Sequence, residues 1–298
     1  MTTMPDRTFT TLTKRGLRHD ILPMRLYHKA KKLGIWDPRD IDLSNDRQDW
    51  LRLPDEYKER LLNLILGFQA GEEAVTLDLT PLIITMSREG RLEEEMFLTT
   101  FLWEEAKHTE FFRRVLDEVL QEHEDFNARI GPTPNNTRDL FREDLPRMMN
   151  RLLTEPTPEN QVKASILYNM IIEGVLAETG YFSFARLLGQ AHMMPGLLQG
   201  IQLIKRDESR HIAYGVFLIS RLVAQNKTLW PLVEERMHKH FAAIEQNQRE
   251  NGTPEVVRNY ARQQFEKRLN RIARAREQTM EQIYQGDASE EEAEAGTA

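Results

Sequence analysis

Two short motifs of one kind stand out: Glu105-Ala106-Lys107-His108 and Glu208-Ser209-Arg210-His211. On a helix, residues three apart share a face, so each motif sets a carboxylate beside an imidazole. That pairing suits a divalent metal with oxygen and nitrogen ligands. Each motif has a forerunner: Glu72 lies 33 residues before Glu105, and Glu173 lies 35 before Glu208. All six residues fall on apolar stripes of helical period. Leu61, Ile65, Phe68, Val75, Leu79, Ile83 and Met86 surround Glu72; Leu98, Phe101, Leu102, Phe112 and Val115 surround Glu105 and His108. Val162, Ile166, Ile172, Leu176 and Phe184 surround Glu173, and Leu197, Ile201, Ile204, Ile212 and Ile219 surround Glu208 and His211.

Four ionised carboxylates on core stripes would each cost several kcal/mol unless protonated, paired or bound to cations. The basic residues close to them in sequence, Lys107, Arg206 and Arg210, read as lying toward the sides of their helices. Two divalent cations would balance the four charges with both imidazoles neutral. A Glu from each of two helices plus Glu-x-x-His from each of two others is the ligand set of the dinuclear carboxylate bundles. A third copy of the motif, Glu235 to His238, shows what the short pattern is worth alone. Its helix is apolar at Leu229, Leu232, Val233, Met237, Phe241 and Ile244, and Glu235 and His238 point the other way. That copy reads as a solvated face, so the functional signal lies in duplication and burial rather than in the motif.

Long helices must carry these residues. Helical periodicity runs through most of the 298 residues, with no sustained strand alternation and no Asn-Gly or Asp-Gly hairpin turn. Pro81 sits inside the first long apolar pattern and predicts a break there. The spacing predicts an all-α protein, a four-helix bundle core with additional helices, as one domain over 1–285. An acidic tail over 286–298, without an aromatic residue, has a disordered composition. The chain has no cysteine, which excludes disulfides, thiolate metal sites and cysteine nucleophiles. Its net charge of −7 predicts no nucleic-acid partner. No apolar run approaches the ~20 residues of a membrane span. Met1 to Arg15 lacks the apolar stretch of a secretory leader, which predicts a cytoplasmic protein.

Four stretches carry a family resemblance: Ala70 to Asp78, Glu104 to His108, Tyr168 to Gly174, and Asp207 to His211. From about Trp36 to Val223 the chain resembles the ligand-binding oxidases related to the ribonucleotide reductase small subunit, within the ferritin-like superfamily. The resemblance implies one Mn and one Fe per chain, with O2 as oxidant. Mn would lie toward Glu72, Glu105 and His108, and Fe toward Glu173, Glu208 and His211. It implies an ether between the oxygen of Tyr168 and the β-carbon of Val75, a bound long-chain fatty acid, and a homodimer. It also places Asp207 as the carboxylate that bonds His108, Trp36 on an electron path, and Phe112 where radical-storing relatives carry tyrosine. Tyr181 reads equally as a site-lining or a core residue.

The cross-link makes a specific demand on the backbone. Val75 follows Glu72 by one helical turn, but Tyr168 precedes Glu173 by five residues, about 140° away on an α-helix. A widened turn such as a π-bulge would bring it round. The resemblance implies an O2-activating oxidase that acts on a hydrophobic substrate. The chief alternative is a radical-generating ribonucleotide reductase small subunit, against which stands the lack of any aromatic residue beyond Tyr284. A non-catalytic ferritin-like metal-binding protein ranks third, because storage cages use shorter chains, and a fatty-acyl desaturase or arylamine oxygenase ranks fourth, the ligand set alone fitting them too.

Overall fold

The structure is a computed structural model that describes residues 8–121, 123–129, 140–189 and 193–286. The tail expected at 286–298 lies outside the described residues from 287 onward. Among the described residues there is no strand. The helices are α1 (Leu22–Leu33), α2 (Ser44–Arg52), α3 (Asp55–Asp78), α4 (Thr80–Arg88), α5 (Leu92–Arg114) and α6 (Leu145–Thr154). After them come α7 (Pro158–Ser165), a π-helical segment (Ile166–Ala177), α8 (Glu178–Leu188) and α9 (Pro195–Gln225). The chain closes with α10 (Trp230–Glu250), α11 (Glu255–Arg274) and α12 (Met280–Tyr284).

The four core elements are α3, α5, the π segment with its flanking helices, and α9, packed pairwise as in a ferritin-like bundle. The break expected at Pro81 falls between Asp78 and Thr80, with Pro81 in the first turn of α4. There a missing N–H leaves no hydrogen bond unmade.

The core divides into two apolar clusters with a polar layer between them. One holds Leu61 to Leu66, Phe111, Phe112, Leu197 and Ile204; the other holds Val75, Leu79, Phe97, Phe101, Tyr168 and most of Ile212 to Val223. Along α3, α5 and α9 the chain passes from one cluster to the other through the candidate ligands. Burial of these flanks is the main force that holds the layer in place.

The long helix α9 has no side-chain cap of its own. Asp46 of α2 accepts from the backbone N–H groups of Gly196 and Leu197 at 2.9 and 2.6 Å, and Asp49 accepts from that of Met194 at 2.7 Å. A carboxylate at this end satisfies orphan donors and complements the helix dipole. It fixes the end of the element that carries Glu208 and His211.

Candidate metal centre

Glu72, Glu105, His108, Glu173, Glu208 and His211 converge from α3, α5, the π segment and α9, and all six are buried. They form two overlapping groups. Glu72, Glu105, His108 and Glu208 make one; Glu105, Glu173, Glu208 and His211 make the other; within each, one ligand atom per residue lies within 4.8 Å of the rest. Glu105 and Glu208 belong to both, so each would be within reach of either cation.

Each imidazole is oriented from behind. Nε2 of His108 lies 3.4 Å from Asp207, and Nε2 of His211 lies 2.8 Å from Glu104. A carboxylate on one ring nitrogen leaves the other as a ligand. The Nδ1 atoms accordingly face inward, 3.4 Å from Glu208 for His108 and 2.9 Å from Glu105 for His211. These close approaches are not aligned as hydrogen bonds. Both oxygens of Glu105, one each of Glu173 and Glu208, and both Nδ1 atoms are buried without hydrogen-bond partners. Buried polar atoms left unpaired in such number and pointed at one place are what a cation-binding cradle requires.

Protonation tells the same story. Burial pushes Glu72 up to about 8 and raises Glu173 well above the carboxylate range, with neighbouring carboxylates adding to both. Burial also works against Glu105, but His108 and His211 outweigh it and hold the carboxyl low, at about 2. Both imidazoles are raised: burial opposes the charge, and Asp207, Glu104 and the inner glutamates overcome it. Without a cation, protons take the places that divalent metals would fill.

The nearby cations do not serve the inner carboxylates. Lys107 and Arg210, expected toward the sides of their helices, are buried, whereas Arg206 stays half-buried. Arg210 donates to both Glu104 and Asp207, and Lys107 donates to Asp207 at 3.1 Å and to the backbone carbonyl of Gly34. Two cations thus match the two outer carboxylates, which leaves four inner ones for metal. Asp207 is held low: burial would raise it, but His108, Arg210 and Lys107 prevail.

Trp36 donates from its indole N–H to Asp207 at 2.8 Å, and its ring stacks on His108 with centroids 6.2 Å apart. Glu104 was not singled out by the sequence pattern. The signal was present, since Glu104 precedes Glu105 as Asp207 precedes Glu208. Glu235 and His238 lie on an exposed face of α10, as their pattern predicts.

Tyr168 reaches the layer because it lies in the π segment, where i→i+5 bonding brings residues five apart toward one face. Its hydroxyl donates to the backbone carbonyl of Val75 at 2.9 Å. Phe112 is fully buried and stacks with Phe68 at 5.1 Å. Tyr181 stacks on Phe68 at 4.9 Å with its hydroxyl unpartnered. Burial raises that phenol, and the charges of Glu208 and Glu72 add to the effect.

A cavity of about 290 Å³ opens beside the carboxylates. Glu72, Glu105, Glu173 and Glu208 lie at its inner end, Val75, Phe68, Ile172 and Leu176 form apolar walls, and exposed Asn63 and Gly67 mark its mouth. An apolar shaft ending on charged groups suits an amphiphile with a polar head.

The ribonucleotide reductase small chain family matches residues 24–254. Solved structures similar to the chain include variants of an R2-like ligand-binding oxidase. One, with a glycine-to-phenylalanine change and an anaerobically reconstituted Mn/Fe cofactor, is 38% identical, covering 90% of this chain and 99% of that one, at a TM-score of 0.84. A tyrosine-to-phenylalanine variant is 38% identical over 90% and 98% of the two chains, at a TM-score of 0.83. A valine-to-leucine variant gives 38%, 90% and 98%, at 0.84. Fold, ligand arrangement and sequence therefore agree, and the chain belongs to the ribonucleotide reductase small chain family, on the side of its R2-like ligand-binding oxidases.

Proposed function

We propose that the protein is an O2-activating oxidase whose six inner ligands hold one Mn and one Fe. In this reading Glu72, Glu105 and His108 take the Mn, and Glu173, Glu208 and His211 take the Fe. The observation that carries it is the set of unpartnered buried carboxylate and imidazole atoms, with outer carboxylates already neutralised by Lys107 and Arg210. The reduced metal pair with O2 supplies an oxidant strong enough to act on an unactivated C–H bond.

The chain's own residues direct that oxidant. Val75 lies one turn beyond Glu72 at the inner wall of the cavity, and its backbone carbonyl holds the Tyr168 hydroxyl at 2.9 Å. Ether formation breaks the Tyr168 O–H and the Val75 Cβ–H bonds and makes one C–O bond. Two protons and two electrons leave, and O2 is the acceptor. The apolar walls keep water from competing for the reactive site. The same cavity takes a long-chain fatty acid with its carboxylate inward, and a hydrophobic C–H compound is the class of substrate.

The test is to load metal-free protein with Mn(II) and Fe(II), add O2, and weigh the peptides. Loss of two hydrogens from the pair containing Val75 and Tyr168 is the expected result. No loss, together with tight binding to a ribonucleotide reductase large subunit, would establish the radical-generating subunit instead.

A further inference from the structure

The face of the centre away from the ligand cavity carries a row of aromatic rings that no step above uses. Phe101 stacks on His211 with centroids 3.6 Å apart, and Phe97 follows at 6.0 Å. Tyr214 lies 5.1 Å beyond Phe97, Phe217 a further 6.0 Å, and Tyr284 another 5.8 Å. The first five rings are buried, and Tyr284, on α12, is half-buried at the surface. Helix α9 supplies His211, Tyr214 and Phe217 at three-residue spacing, so one face of one element sets the row.

Among the described residues, Tyr214 is also the one buried tyrosine whose hydroxyl donates to a carboxylate. It donates to Glu94 at 3.1 Å, within the reach needed for proton transfer. Glu94 pairs with Arg221 at 3.3 Å and with Arg91 at 3.5 Å, and Arg91 in turn donates to the Tyr284 hydroxyl at 3.4 Å. The two tyrosines on the row therefore share a hydrogen-bonded link as well as a line of rings. Burial and the neighbouring Glu94 keep the Tyr214 phenol protonated, so it cannot lose an electron without giving up its proton.

We propose that Tyr214, with Glu94 as proton acceptor, is an electron relay between the metal centre and Tyr284 at the surface. The inference rests on the redox reading of the centre. Tyr214 passes one electron through Phe97 and Phe101 toward His211, which reduces the oxidised centre by one equivalent. Its O–H bond breaks and the proton moves to Glu94. Tyr284 then returns an electron to Tyr214, Glu94 returns the proton, and the proton of Tyr284 leaves to water. A one-electron donor of the flavin or iron–sulfur protein class restores Tyr284, which takes a proton from water. The phenylalanines carry no charge; they shorten the gaps. Ion pairing alone accounts for Glu94 and Arg221, but not for rings that continue from a candidate ligand to the surface.

The absence of cysteine permits a clean test. Gln285→Cys is labelled with a ruthenium photosensitiser, and the full chain is loaded anaerobically with Mn(II) and Fe(II). Flash oxidation beside Tyr284 then draws electrons outward along the same route. A transient tyrosyl signal in electron paramagnetic resonance, followed by oxidation of the centre, is expected. Transfer should slow in deuterated water and fall about tenfold or more in Tyr214→Phe, with Tyr260→Phe unchanged. Equal rates in Tyr214→Phe and the parent, or no solvent isotope effect in the parent, would overturn the relay. Metal analysis separates the two readings: a chain that takes up no metal contradicts the proposed oxidase, yet the passage of the radical from Tyr284 to Tyr214 still reports on the relay.

Discussion

Oε2 of Glu104 lies 2.8 Å from Nε2 of His211, although the two belong to different Glu-x-x-His helices. Asp207, from the His211 helix, serves His108 of the Glu104 helix in return. The outer carboxylates are exchanged between the two half-sites, so each motif aims the imidazole of the other.

This exchange makes a directional prediction. Glu104→Gln should loosen the ion at His211, and Asp207→Asn the ion at His108, each by roughly 10- to 100-fold. Competitive chelation with separate readout of Mn and Fe checks it. Weakening on the substituted residue's own half-site would contradict the crossed arrangement.

Gly71 lines the cavity, where an added Cβ would meet only the Phe141 ring, at 3.4 Å. Gly71→Leu should therefore fold normally but occupy the shaft. Native mass spectrometry after incubation with a long-chain fatty acid should show the acid bound to the parent and absent from the variant, with both metals retained. Retention of the ligand would place its binding elsewhere.

Asp78 closes α3, and burial alone raises its carboxyl from 3.8 to about 6. The folded state thus holds this proton more tightly than the unfolded chain. Its contribution is most favourable below the unfolded value and is lost as pH rises toward the folded one. Asp78→Asn should stabilise the protein by about 1 kcal/mol near neutral pH, partial solvent access having reduced the full effect, and by nothing near pH ~4. Urea denaturation at the two pH values measures the difference; an equal gain at both would rule out titration as its origin.

The exposed Glu235 and His238 supply a control. Replacing both with alanine should leave metal content unchanged and shift stability by less than about 0.5 kcal/mol. A loss of bound metal would show that helix α10 takes part after all.

Much of the architecture could be read from periodicity. Apolar stripes gave the four core helices, Pro81 gave the break after α3, and the six inner ligands stood out as polar intrusions on those stripes. The widened turn at Tyr168 was required by arithmetic before it was seen as a π segment. Glu104 and Arg210 were harder to see. A single stripe describes one buried face, whereas α9 is buried almost all round from Asp207 to Val223, and the Glu104 side of α5 is closed over by the end of α1. Gly34 lies so close there that a Cβ would overlap the Glu104 carboxylate. Burial created by a third and fourth neighbour leaves no periodic trace. For the same reason no periodic pattern joins Phe97, Phe101 and Tyr214 into a row.

The π segment has a consequence for how this sequence can change. Its wide turns hold Tyr168 and Glu173 in phase across five residues, a spacing that an α-helix would put out of register. Deleting one residue between them would let the stretch relax to the commoner helix, at little local cost. Glu173 would keep its place, while Tyr168 would be left about 40° from it rather than about 140° on an ordinary helix. The phase between Tyr168 and Glu173 is therefore set by length and winding together: one residue fewer keeps it only as an α-helix, and the burial of Ile166 to Val175 leaves little room for substitution along the stretch.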